Sequence, residues 1–297
     1  MSVGDVVIRT WREGDDELLV PLWQPMGWTD LATYGRKLED PGNSPDRVFV
    51  AELDGRAVGH AIATRREVFV EGKFRLFGGV GHLAVHPLAK GRGLGRRLLE
   101  ECHRVAREAD ARGVIMWTKR SFHPAFDMYV RSGYRLVAHE VRHQVDIEWL
   151  REVWGAPSVE IRPLQESETP AAADLRRSWA ESCFPVSCGW DVGFFGRDTL
   201  GLYDGSTLVG TCSEAPLTPI VPRHLVRDAL LAMGLRRLAG GERCLTYSLA
   251  SGSTGDRILS GVSHAREELG YCTLVLPLGR DLNLGDQEPV QFACWPW

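Results

Sequence analysis

The amino-acid sequence predicts an α+β fold of two related units, each a mostly antiparallel sheet with helices packed on it. The first observation is a hairpin signal in each half: Asp54-Gly55 and Asp204-Gly205 lie between runs of alternating apolar residues. The second is a strand, a glycine-rich loop and a helix that follow one another in the first half. The third is a repeat, because motifs of the first half recur about 150 residues later.

The repeat is imperfect. Ile8, which ends a strand-like run, recurs as Ile161, and Gly59, in the second strand of the first hairpin, recurs as Gly210. The two halves therefore match near their starts.

A further pair of matching residues is separated by fewer residues than the pairs above. Gly133 and Gly270 each follow a helical stretch and precede a tyrosine and an apolar strand. About 14 residues are therefore missing from the second copy, between its hairpin and this glycine. We expect two domains, residues 1–150 and 158–297, joined by a linker that contains glycine and proline.

Composition excludes several classes of protein. The 297 residues carry a formal net charge of −4, so the chain lacks the basic excess that neutralises nucleic-acid phosphates. No run of about 20 apolar residues is long enough to span a bilayer, and no secretory signal is visible. The seven cysteines form no C-x-x-C pair and no zinc-like cluster. We expect a cytoplasmic protein without nucleic acid, membrane or metal as partner.

One segment of the first half carries the strongest functional signal. Residues 79–86 have strand character, and Pro87 ends the strand because proline cannot donate to a ladder. Residues 90–96 are glycine-rich and basic. From Gly95 onwards apolar residues recur at helical spacing, and Gly113 supplies a stop signal.

This order of strand, loop and helix suits an anion. The first N–H groups of a helix lack intrahelical partners, and the helix dipole adds partial positive charge there. Glycines let an anion approach these groups without meeting a Cβ atom, and basic side chains add positive charge. The glycines are Gly91, Gly93 and Gly95, and the basic residues are Lys90, Arg92, Arg96 and Arg97. We expect a phosphate or pyrophosphate ligand, with a purely structural turn as the alternative.

Two common nucleotide motifs do not fit the loop. A P-loop requires G-x-x-x-x-G-K followed by serine or threonine, and the chain contains neither Lys-Ser nor Lys-Thr. The dinucleotide motif G-x-G-x-x-G also fails, since the spacing here is G-x-G-x-G.

The segment LAVHPLAKGRGLGRRLL resembles the acetyl-CoA-binding motif of the GNAT N-acetyltransferase superfamily, (Q/R)-x-x-G-x-(G/A). Gly93 and Gly95 match, whereas Lys90 replaces the usual first residue. A second GNAT motif, A-x-x-x-Y-x-x-x-G-(F/Y), follows the strand at 114–120. It comprises Ala125, Tyr129, Gly133 and Tyr134. Phe122 departs from the pattern, because many members carry asparagine there. The resemblance covers residues 4–150.

The resemblance implies a mixed sheet that is splayed at its centre and receives acetyl-CoA, or another short-chain acyl-CoA, as co-substrate. The pyrophosphate would meet backbone N–H groups of the loop and helix start, and the pantetheine arm would pair with the preceding strand. The implied binding residues are Leu83, Ala84, Val85, Lys90, Gly91, Arg92, Gly93, Leu94, Gly95 and Arg96.

Acyl transfer to an amine needs a proton donor for the departing thiolate and a base for the amine. By analogy with the family, Tyr129 would be the donor, since a phenol stays protonated near neutral pH. The alternative is a packing tyrosine.

The base is less defined by the sequence. We choose His82, because a histidine accepts a proton near pH 7 and His82 precedes the loop on the implied binding strand. In an ideal strand it would face away from Val85. Glu67, His123 and His143 are alternatives, and His86 could simply hydrogen-bond to the loop.

The second half lacks the glycine loop, and Arg266 stands four residues before Gly270, where the first half has Tyr129. It therefore resembles a degenerate GNAT domain that shapes the acceptor site. The leading hypothesis is transfer of an acyl group to a small-molecule amine. The alternatives are a protein or peptide acceptor and a non-catalytic acyl-CoA-binding module. We expect a monomer with an internal pseudo-dimer.

Overall fold

A computed structural model describes residues 6–15, 19, 22, 47–70, 73–175, 186–188, 199–213, 218–251 and 253–279. This part of the chain forms both strands and helices. The strands are β1 (Val7–Thr10), β2 (Val48–Leu53), β3 (Arg56–Val70), β4 (Lys73–Val85), β5 (Gly113–Lys119), β6 (Arg135–Asp146), β7 (Glu160–Pro163), β8 (Val186–Cys188), β9 (Thr199–Asp204), β10 (Thr207–Ser213), β11 (Thr218–Ile220), β12 (Cys244–Ala250) and β13 (Ala265–Pro277). The helices are α1 (Leu94–Glu108), α2 (His123–Arg131), α3 (Ile147–Trp154), α4 (Val226–Ala239) and α5 (Thr254–Ser260).

The larger sheet has the strand order β1-β2-β3-β4-β5-β13-β6-β12, with β8 beside β3. Among the described strand pairs of this sheet only β4 and β5 run parallel. The predicted fold class, a mixed and mostly antiparallel sheet with helices, is therefore confirmed. The first predicted hairpin joins β2 to β3, and its two turn residues have positive φ, 51° at Asp54 and 75° at Gly55. These angles suit the type I′ turn that matches strand twist.

The sheet opens between β4 and β5. Parallel pairing between them is limited to Gly78 opposite Val114 and Gly79 opposite Ile115. Beyond Gly79, β4 continues to Val85 beside β3 alone among the described strands. The resulting gap is the splay that the resemblance implies.

A smaller sheet, β11-β10-β9-β7, belongs to the second half. Its hairpin β9–β10 is the second predicted hairpin, although the turn lies one residue later, with φ of 57° at Gly205. Helix α4 packs here, and its buried Leu230 and Met233 join Leu202 and Leu245 in one apolar cluster.

Strands are exchanged between the two halves. Strand β13 lies between β5 and the first part of β6, where Cys272 is opposite Thr118 and Leu274 opposite Met116. The second part of β6 lies in turn between β12 and the start of β13. Each half therefore completes its sheet with a strand from the other. The predicted boundary at residues 150–158 stays a prediction, but four described strand pairs cross it: β3–β8, β5–β13, β6–β13 and β6–β12.

The exchange explains one wrong expectation. Gly270 was predicted to begin a strand after a helix, which placed Arg266 at the position of Tyr129. In the structure the preceding helix α5 ends at Ser260, and Arg266 and Gly270 both lie inside β13. Arg266 is therefore a strand residue and has no counterpart in α2.

The predicted apolar stripe of α1 is buried as expected, and it packs on β3 and β4. Its members are Leu98, Leu99, Cys102, Val105 and Ala106, whereas Ala109 is half-buried at the end of the helix. None of the helices among the described residues is long and apolar enough to cross a membrane.

Candidate functional site

The end of β4 offers backbone groups to the gap between β4 and β5. The N–H of His86 donates to the carbonyl of Val58 at 2.8 Å. Since bonded pairs alternate along an antiparallel ladder, the backbone groups of Ala84 also face β3, whereas those of Val85 face the gap. Of the three predicted strand contacts, Val85 can therefore reach a ligand in the gap and Ala84 is turned away from it, while Leu83 lies in a β-bulge to which this alternation does not extend.

The β-bulge lies between Gly81 and Ala84 of β4. Ile62 is opposite Gly81 and His60 is opposite Ala84, so β4 has one extra residue here. His82 lies in the bulge with φ of 48°, a left-handed conformation that is uncommon for histidine. This conformation interrupts the alternation of an ideal strand, so the expectation that His82 and Val85 have opposite faces no longer has a basis.

The N-terminus of α1 is open. Gly93 caps the helix with φ of 74° and no side chain bonds to the cap, and the first helical bond runs from Arg97 N–H to Gly93 C=O at 3.1 Å. The N–H groups of residues 93–96 therefore have no intrahelical acceptor. Nothing lies within 4 Å of the position that a Cβ atom would take at Gly91 or Gly93. An anion has space to approach them.

The charge around this terminus is positive. The side chains of Lys90, Arg92, Arg96 and Arg97 are exposed, and Arg97 also donates to the carbonyl of Val6 at 3.2 Å. Leu94 in contrast is buried and anchors the first turn, so its contribution is limited to its backbone N–H.

Three elements meet at Gly95. A Cβ atom there would lie 3.4 Å from Sδ of Met128 in α2 and 3.8 Å from Cγ2 of Val85 at the end of β4. Helix α1 begins against both elements, and the residue after Met128 is Tyr129. The structure thus brings the predicted loop, the strand edge and the tyrosine helix together.

Tyr129 is 6% exposed, and burial raises its pKa to about 12. A raised pKa keeps the phenol protonated, as a proton donor requires. Its ring packs edge-on against Tyr134 at 5.9 Å. Among the described residues none hydrogen-bonds to its hydroxyl, which therefore remains available to a ligand.

Tyr134 is itself fixed by a hydrogen bond. Its hydroxyl lies 3.0 Å from Nε2 of His103 in α1, and Nδ1 of His103 lies 3.5 Å from the Glu100 carboxylate. Burial lowers the pKa of His103, so the ring is neutral at pH 7. With the proton on Nδ1, towards Glu100, Nε2 accepts from the Tyr134 hydroxyl.

The alternatives to His82 lie elsewhere. Nδ1 of His86 accepts from Leu88 N–H at 3.2 Å, in the turn that precedes the loop. His123 is exposed at the start of α2, and Glu67 lies in β3 opposite Leu76. His143 is in β6, three strand spacings or about 14 Å from β4 in the sheet order.

His143 belongs to a polar cluster of the second half. Its Nε2 lies 2.7 Å from the Asp256 carboxylate, which also accepts from Arg266 at 3.0 Å, and its Nδ1 lies 3.1 Å from the Ser263 hydroxyl. This cluster ties β6, α5 and β13 together. Arg266 therefore has a structural partner.

The sequence gives no signal for two residues of the site. His60 in β3 reaches the carbonyl of His82, and Met128 packs on the start of α1. His60 is an ordinary buried strand position in the pattern, and Met128 has the spacing of any apolar helix residue. Their roles depend on the bulge and on how α2 packs.

Comparison with known proteins is consistent with this geometry. Residues 11–134 match the acetyltransferase (GNAT) family. Similar solved structures include a GCN5-related N-acetyltransferase from Kribbella flavida, 15% identical with a TM-score of 0.63, over 92% of this chain and 71% of that chain. A GCN5-related N-acetyltransferase from Sphaerobacter thermophilus is 16% identical with a TM-score of 0.55, over 93% of this chain and 98% of that chain.

A third similar structure is a conserved protein of unknown function from Enterococcus faecalis V583, described as a probable N-acyltransferase. It is 11% identical with a TM-score of 0.65, over 94% of this chain and 73% of that chain. At these identities the likeness shows the fold, and it extends through both halves of the chain. No curated protein sequence matches the chain.

Proposed function

Because residues 11–134 match the GNAT acetyltransferase family, we propose that the protein transfers an acetyl or other short acyl group from acyl-CoA to the amine of a small molecule. The observation that carries the proposal is the meeting of three elements at Gly95: the edge of β4, the N-terminus of α1 and the helix of Tyr129. A ligand held by the first two would extend towards the third.

Acyl-CoA suits the two binding features. Its pyrophosphate is an anion for the N–H groups of residues 93–96, with Lys90, Arg92 and Arg96 around them. Its pantetheine arm carries amides that pair with backbone groups of Leu83 and Val85, as an added strand pairs with a sheet edge.

In the proposed reaction the amine nitrogen attacks the thioester carbonyl, so that a C–N bond forms and the C–S bond breaks. The proton lost by the amine passes to His82, and the thiolate of CoA receives the phenolic proton of Tyr129. The burial that raises the pKa of Tyr129 to about 12 supports this role, because the phenol is then protonated throughout the physiological range.

The position of the second half supports a small amine over a protein chain as the acceptor. Three described strands of the second half lie in the larger sheet: β8 beside β3, β13 beside β5 and β12 beside β6. The second half therefore lies against the first half and is available to enclose an acceptor.

The test is release of free CoA thiol from acetyl-CoA with two sets of acceptors. One set contains alkyl diamines, amino sugars and amino acids, and the other contains peptides with a free N-terminus or lysine. We expect release with a small amine, and a fall in kcat of about a hundredfold in Tyr129→Phe and in His82→Asn. Tyr247→Phe is the matched control, since this buried tyrosine bonds to Leu230 in the second half.

Other outcomes would contradict the proposed function or the proposed role of Tyr129. Release with peptides alone would establish a protein acceptor. Binding of acetyl-CoA without release by any amine would establish a non-catalytic module. An unchanged kcat in Tyr129→Phe would contradict its role as proton donor, even if the wild type turns over.

A further inference from the structure

We propose that His60 is a positioning residue that holds the His82–Leu83 peptide group so that Leu83 N–H donates to the thioester carbonyl of acyl-CoA. The proposal rests on the proposed function. His60 touches neither the acyl group nor the amine and acts through the backbone of β4.

The contact is between two buried residues. Nδ1 of His60 lies 3.1 Å from the carbonyl oxygen of His82, and the side chains are 0% and 7% exposed. A carbonyl oxygen only accepts hydrogen bonds, so Nδ1 of His60 must carry the proton and donate it. The two rings are edge-to-face with centroids 6.4 Å apart.

Because a peptide group is planar, this contact also fixes the direction of the Leu83 N–H. In a trans peptide the C=O of one residue and the N–H of the next point in opposite directions. Because the His82 carbonyl is turned to His60 on β3, the N–H of Leu83 points away from β3. That side of β4 is the gap, since β5 pairs with β4 only at Gly78 and Gly79 among the described residues.

The bulge makes such a restraint necessary. Elsewhere in β4 the ladder with β3 orients each peptide group, but His82 and Leu83 both lie opposite Ala61, between the pairs of Gly81 and Ala84. His82 also has φ of 48°, which surrounding contacts must maintain in a non-glycine residue. The His60 side chain supplies a bond there in place of the ladder.

The consequence for catalysis is electrostatic. Negative charge develops on the thioester oxygen as the amine attacks, and a fixed N–H donor stabilises the transition state more than the ground state. A peptide group free to rotate would have to be oriented during the reaction. Loss of the His60 donor should therefore lower kcat more than it weakens binding of acetyl-CoA.

The experiment compares two variants. His60→Phe keeps a planar ring without a donor, and His60→Asn places an amide N–H near the position of Nδ1. Measurements are kcat, KM and calorimetric Kd for acetyl-CoA at a temperature well below both melting temperatures. We expect kcat to fall about 10- to 100-fold in His60→Phe with Kd changed less than about threefold, and His60→Asn to recover kcat to within about threefold.

A second readout does not need turnover. The infrared stretch of ¹³C-labelled acetyl-CoA moves to lower frequency when an N–H polarises the thioester carbonyl, so we expect a lowered band in the wild type and in His60→Asn and not in His60→Phe. Failure of the proposed function would appear as wild-type binding without turnover, and the band would still test His60. Equal bands in the wild type and His60→Phe, or equal loss of kcat in both variants, would overturn the proposal, as would a wild type that binds no acetyl-CoA.

Discussion

Two glycines with positive φ shape the proposed binding loop. Gly91 and Gly93 have φ of 78° and 74°, and both face open space where a ligand would lie. A side chain at either position would be strained by the backbone and would also fill that space.

Gly93→Ala should therefore lower both the stability of the protein and its affinity for acetyl-CoA. Gly55→Ala is the control that separates the two effects. Gly55 has φ of 75° and equally open surroundings, but it lies in the turn between β2 and β3. Each substitution should cost about 1–2 kcal/mol of unfolding free energy, since both place a Cβ atom in a left-handed conformation. Only Gly93→Ala should weaken acetyl-CoA binding. Thermal melts and calorimetric titration would measure this, and equal affinities in the two variants would count against an anion site at α1.

The raised pKa of Tyr129 can be tested by spectroscopy. Burial raises its pKa to about 12, against an ordinary value near 10. At pH 11 it should be only about one-tenth ionised, whereas an unperturbed tyrosine would be about nine-tenths ionised. Absorbance at 295 nm of the wild type minus that of Tyr129→Phe isolates this residue.

The sign of the linked stability change follows from the same pKa. Between pH 10 and 12 the folded state retains a proton that the unfolded state has lost, so unfolding releases it and stability falls as pH rises. Wild type should lose stability relative to Tyr129→Phe over this range. A difference spectrum with a midpoint near 10 would show that the phenol is not in the environment described.

The roles of some site residues could be predicted from the sequence, and those of others could not. Gly93 could be identified because a glycine loop before a helix is a local pattern with a known geometry. The contact of His60 could not be predicted, because it depends on one extra residue in β4 that no apolar pattern records. The same bulge invalidates the ideal-strand comparison of His82 with Val85.

At the scale of elements, the site depends on how α1 is held against its neighbours. Tyr134, just before β6, bonds through its hydroxyl to His103 in α1, and its ring supports Tyr129. The order of strand, loop and helix is local and was predicted correctly. The match of Gly133 to Gly270 was wrong, because β13 begins before Gly270 and serves both halves.

Tyr134→Phe should test the connection between α1 and β6. The variant keeps the ring against Tyr129 and removes the bond to His103, which leaves a buried acceptor unpaired. We expect a loss of about 1–3 kcal/mol in unfolding free energy.

A double-mutant cycle with His103→Phe provides the control. Since the two residues share one hydrogen bond, the double variant should lose less than the sum of the single variants. Strict additivity in chemical denaturation would mean that the bond contributes nothing to holding α1.

At the scale of the whole molecule, strand exchange makes the two halves interdependent. Leu274 comes from β13, in the second half of the sequence, but is fully buried in the apolar cluster of the first half, with Leu98 and Tyr129. Val141 and Val145 come from β6 but are buried in the cluster of the second half. The sequence repeat indicates two similar units, but it contains no information on which unit each long strand completes.

The molecule should therefore unfold in one transition. Leu274→Ala should cost about 2–5 kcal/mol, as should Leu249→Ala, a buried position in the cluster of the second half. Each variant should shift one common transition, with calorimetric and van't Hoff enthalpies that agree. Two separate transitions, each shifted by only one variant, would show that the halves are stable independently.

We propose that the N-terminus of α1 and the edge of β4 bind acyl-CoA in the first half alone. The most direct measurement is calorimetric titration of acetyl-CoA into the wild type and into Gly93→Trp, which fills the open space at the helix start. We expect one site per chain, lost in Gly93→Trp. A second site would contradict the assignment to the first half, and an absence of binding at millimolar acetyl-CoA would contradict the proposal itself.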